Sequence, residues 1–147
     1  MVPVIPVSVE HAIVQRVPRP FAYMPTQLPR YWRYRAWDAG RQTPGLFPRG
    51  RGLNIWFTTP HPSGAGFHVY ADRSCRLEHP MRRFHIGHVT VSWSSNFGDD
   101  RVWRCVRTVD RTIEMSVSYI GSATSIAAGV RRALPVARML TTVRRIE

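Results

Sequence analysis

Ten of the twelve prolines fall within the first 62 residues, and they limit what that part of the chain can become. Proline fixes its own φ and donates no backbone hydrogen bond, so this density is incompatible with one long helix or a central strand. The stretches VPVIPVSV (2–9) and AIVQRV (12–17) are therefore expected as short edge strands, and PRPFAYMPTQLPR (18–30) as an extended arm. That arm is expected to lie over the body or to reach a neighbouring copy. Residues 1–52 are read as a Pro- and Arg-rich arm with loops, and residues 53–147 as the folded core of a single domain.

Beyond residue 52 the pattern becomes that of strands. LNIWFTT (53–59) and GFHVYA (66–71) flank the loop PHPSGA, and RFHIGHVTVSW (83–93), RVWRCVRTV (101–109) and TIEMSVSYI (112–120) follow at short intervals. The last alternates with period two: Ile113, Met115, Val117 and Tyr119 on one face, Thr112, Glu114, Ser116 and Ser118 on the other. Residues 121–147 read as helix behind a serine or threonine cap, with Ile126, Val130, Ala133, Ala137 and Leu140 forming an apolar stripe. Pro135 is expected to kink or split that helix. The expected fold is α+β: an antiparallel sheet of about five strands, typical in size, with a meander over 83–120 and the C-terminal helix packed on it.

Charge narrows the function. All 21 basic residues are arginine, against nine acids, giving a formal net charge of +12. Such a chain attracts polyanions, and the planar guanidinium suits phosphate because it binds two oxygens at once. In YWRYRAW (31–37) and PRGRG (48–52) arginines interleave with aromatics or glycines. Arg30, Arg33, Arg35, Arg49 and Arg51 are the expected phosphate contacts, with Trp32 and Tyr34 stacking on unpaired bases. Arg131, Arg138 and Arg145, at seven-residue spacing, form a second basic patch.

Chemistry-bearing motifs are sparse. There is no P-loop and no GxGxxG. His88–Val91 resembles one half of the H-x-T-x motif of 2H phosphoesterases, which use two such strands to cleave phosphodiesters. That resemblance implies His88 and Thr90 in the reaction, with His68 or His61 opposite. Five of the six histidines lie between 61 and 88, and Cys75, His79, His85 and His88 are ligand types that zinc prefers, although their spacing matches no zinc module. Cys75 and Cys105 have no CxxC spacing and are expected as reduced thiols.

The leading expectation is a non-enzymatic protein that binds RNA or single-stranded DNA, with RNA favoured and no cofactor. It would self-assemble through its arm as a coat-like or packaging protein, in the cytoplasm or a virion. The first alternative is a peripheral, matrix-like protein laying the C-terminal stripe on an anionic membrane. The second is a small phosphodiesterase or ribonuclease. No apolar run has the length needed to cross a bilayer, and no charged-then-apolar leader opens the chain.

Overall fold

The computed structural model describes residues 3–39, 52–71, 79–96, 98–109, 111–121 and 124–147. The first element, α1 (Val7–Arg16), replaces the expected edge strands. Pro6 sits at its N-cap, where the missing N–H costs nothing, and no proline interrupts the next ten positions. Ile13 is fully buried and Val9 partly so, a four-residue spacing that faces one side of a helix. Packing of that side outweighs the weak helix propensity of its valines.

A 3-10 turn (Arg19–Phe21) and β1 (Tyr23–Pro25) follow. The arm lies on the body of its own chain: β1 pairs antiparallel with β9 (Val143–Arg145), and Phe21, Ala22 and Met24 are buried in the common core.

The main sheet holds β2 (Arg33–Ala39), β3 (Gly52–Thr58), β4 (Ala65–Ala71), β5 (Arg82–Ile86), β6 (Val89–Asn96), β7 (Asp99–Arg107) and β8 (Thr112–Ile120). Seven strands stand in the order β2-β3-β4-β8-β7-β6-β5, all antiparallel, rather than the expected five. Two meanders meet at the β4–β8 pair.

One extra strand comes from RFHIGHVTVSW, which folds as the β5–β6 hairpin. Gly87 has φ +60° and is the first of two loop residues, the position at which a type II′ hairpin turn wants glycine. The expected loop SSNFGDD is also tighter, since Asn96 and Asp99 already pair across it.

The helix α2 (Ile126–Thr141) covers the β5–β7 half of one sheet face. Ser125 caps it, accepting a hydrogen bond from the Ala128 N–H at 3.2 Å. Pro135 leaves the helix unsplit. Ala133, Ala137 and Leu140 of the apolar stripe are fully buried, whereas Ile126 is 57% exposed. Val102 and Val117, on strands that α2 packs against, lie in the same buried cluster, each such burial contributing about 1.5–3 kcal/mol.

Close to the end of β8, a Cβ on Gly121 would fall 2.2 Å from the Asp100 carboxylate, so only glycine lets the chain pass there. Asp100 is itself buried and accepts hydrogen bonds from Trp93 Nε1 (3.2 Å) and Ser95 Oγ (2.6 Å). Cys105 is disulfide-bonded, which corrects the expectation of reduced thiols. The one other cysteine in the sequence, Cys75, lies outside the described residues.

Candidate functional site

Two polar constellations occupy the sheet. On the face opposite α2, the cross-strand partners Asp38, Asn54 and His68 form a row. Asn54 Nδ2 donates to Asp38 Oδ1 at 2.7 Å, and Trp56 Nε1 donates to Asp38 Oδ2 at 3.3 Å. Asn54 Oδ1 is then left to accept from His68 Nδ1–H at 2.6 Å. Burial drives the His68 imidazole down to about 4, against the opposing pull of Asp38.

Beside this row Arg101 pairs with the fully buried Glu114 and donates to Tyr70 Oη at 3.0 Å. Burial pushes the Glu114 carboxyl up to about 8, and the guanidinium set against it works the other way. His68 is only 9% and Ser116 only 2% exposed. The row ties β2, β3 and β4 in one register; it presents little to a solute.

The residues proposed for phosphodiester chemistry are not brought together. His88 lies in the β5–β6 turn, so it shares no strand face with Thr90, whose hydroxyl instead meets His85 Nδ1 at 3.2 Å. His68, on β4, stands three strands from the β6 that carries Thr90, at about 4.8 Å per step roughly 14 Å distant. The H-x-T-x resemblance therefore ends at the sequence, because its histidine is on a turn. His79, His85 and His88 are exposed, and Cys75 lies outside the described residues. Among the described residues no group of three or more His, Cys, Asp and Glu side chains is arranged to hold a metal.

The expected nucleic-acid residues divide. Arg30, Arg33 and Arg35 are exposed along the edge strand and the turn before it. Trp32 and Tyr34 instead turn partly into the core, Trp32 against Phe57 with ring centroids 6.2 Å apart. Tyr31 is the most exposed aromatic of this segment, 67% exposed at φ +70°, with the Arg30 guanidinium 5.0 Å from its ring centroid.

Arg49 and Arg51 lie outside the described residues. Arg131 and Arg138 are exposed on α2, but Arg145 belongs to β9, where it packs on the Tyr23 ring and donates to its hydroxyl at 3.1 Å. The seven-residue patch is thus two arginines long. The α2 stripe expected to meet lipid is occupied with the sheet, because Ala133, Ala137 and Leu140 are fully buried. Among the described residues, no helix is long and apolar enough to cross a membrane.

The described arginines are spread over both sheet edges and both helices. Two of them, Arg30 and Arg132, meet an aromatic on a concave surface at one end of the sheet. There a cleft of about 560 Å³ opens between the 29–32 turn, the β3–β4 loop, the end of β8 and α2. Trp32, Pro29, Pro60 and Pro135 supply apolar walls; Arg30, Arg132 and His61 supply polar groups; among the described residues no carboxylate lines it.

The loop bearing His61 is held by its own bonds: Gly64 N–H to His61 O at 3.0 Å and Thr59 Oγ1 to His61 O at 3.0 Å. A second cleft, of about 500 Å³, lies between α1 and the last residues and carries Glu147 beside Arg19. Sequence reasoning passed over Tyr31, Arg132 and Pro135 as site residues. Tyr31 lay within the arginine–aromatic run already singled out. Arg132 and Pro135 gave no signal, since only folding brings α2 to the 29–32 turn.

Comparison of the chain with protein-family models, curated proteins and solved structures gives no match.

Proposed function

We propose that this protein is a non-enzymatic nucleic-acid-binding protein. It grips phosphate with the arginines of the 30–35 segment and of α2, and RNA is the favoured ligand. The observation that carries the reading is the cleft with Arg30, Arg132 and His61 on its rim, an indole in its wall and no carboxylate among the described residues that line it. Arg33 and Arg35 extend the same positive character along the edge strand, and the net charge of +12 supplies long-range attraction. Coat-like self-assembly belongs to the proposal as a separate element, with the two sheet edges as the available backbone surfaces.

Fluorescence anisotropy with a labelled single-stranded oligonucleotide tests it. Affinity should fall steeply between about 50 and 200 mM salt as phosphate binding releases counterions. Arg30→Ala and Arg132→Ala should each lower the slope of log K against log salt by about one. Salt-independent binding, or none, overturns the proposal.

A further inference from the structure

We infer that the cleft beside Trp32 receives one unpaired nucleobase while Arg30 and Arg132 hold phosphates flanking it, so that the protein selects single strands over duplexes. The inference rests on the nucleic-acid reading above and specifies which part of the ligand enters the molecule.

A surface that only neutralises phosphate needs no hollow. This one has a hollow of about 560 Å³, inside the roughly 300–1,000 Å³ range of small-ligand sites and far too small for a base pair with its backbones. Its walls suit a flat, mostly apolar guest. Trp32 offers an aromatic surface, and Pro29, Pro60 and Pro135 are rigid rings with little conformational freedom to lose on binding. Trp32 is itself steadied by Phe57 at 6.2 Å, so a stacking partner is already in position.

The polar groups are the ones a nucleotide requires. Arg30 comes from the turn before β2 and Arg132 from α2, so cations approach from two different elements. His61 Nδ1 accepts the Ser63 N–H at 3.2 Å, which leaves Nε2–H as the ring's donor, suited to a base carbonyl or ring nitrogen. Among the described residues of the lining there is no carboxylate to repel phosphate. A base inside a duplex is stacked on both sides and cannot enter; an unpaired one pays no such cost.

The test compares four probes on the wild-type chain: a twelve-nucleotide oligothymidylate, an abasic backbone of equal length, a blunt duplex of equal length, and thymidine monophosphate. The oligothymidylate should bind at least about tenfold tighter than the abasic strand or the duplex, the scale of one stacked base. The mononucleotide should compete weakly.

Trp32→Leu should erase the margin over the abasic strand and leave abasic binding unchanged, while Trp32→Phe restores most of it. Equal affinity for oligothymidylate, abasic strand and duplex overturns the base-capture inference and leaves backbone binding intact. No binding to any probe overturns both. Should Trp32→Leu fail to fold, the four-probe comparison on the wild type still decides.

Discussion

Asn54 touches both of its polar neighbours at short range, Asp38 at 2.7 Å and His68 at 2.6 Å, from a strand buried on nearly every position. A buried amide left unpaired would cost about 1–3 kcal/mol, so the row acts as a register lock for the first meander. It also sets a pH limit. His68 titrates near 6.5 when unfolded and about 4 when folded, so the native state favours the neutral ring. The stability this provides is present above pH 6.5 and is lost as pH falls toward 4, about 3 kcal/mol in all. Urea midpoints measured from pH 7 to pH 4 should fall more steeply for the wild type than for His68→Gln. Parallel profiles would show that the imidazole gains its proton without disturbing the fold. Of this network the sequence showed only polar residues on strands. Their cross-strand partnership depends on register, which a lone strand pattern does not carry.

Element by element, legibility followed the strength of the local signal. In β8, strict alternation left one assignment available, and the structure has those faces. In α2, the serine cap and the buried Ala133, Ala137 and Leu140 were likewise readable. The β5–β6 hairpin was missed because one glycine inside a β-rich run is a faint mark, although it is the residue that admits φ +60°. The helix α1 was missed because prolines on either side and four β-branched residues within it outweighed a short apolar spacing. Pro135 is the remaining tension. It sits inside α2, exposed, and leaves the Arg131 carbonyl without its N–H donor four residues on. Pro135→Ala should therefore stabilise the fold by about 1–3 kcal/mol, read as a higher Tm. A lower Tm would mean that the proline's own contacts in the cleft wall outweigh the restored bond.

For the molecule as a whole, the cleft was invisible to any local reading. Its lining comes from four segments, near residues 30, 60, 120 and 135, that meet only when the sheet closes and α2 docks. The disulfide at Cys105 was invisible for the same reason: cysteine pairing is a property of the fold that spacing alone does not carry. A thiol titration of the unfolded, unreduced protein should find no reactive group at Cys105. Reduction should lower stability by about 2–4 kcal/mol, the usual effect of losing one such cross-link. A reactive thiol at Cys105 in freshly purified protein would remove the cross-link from the account.

The β1–β9 clasp has a bearing on how such a chain comes into being. Arg145 reaches the Tyr23 hydroxyl across 122 residues, and the Ile146 N–H bonds to Ala22 O at 2.8 Å. A ribosome delivers Phe21, Ala22 and Met24 well before the strand that pairs beside them. Until β9 emerges those side chains lack that native neighbour. This part of the core cannot mature from front to back, and its residues stay open to chaperones or to misassociation until β9 has been made.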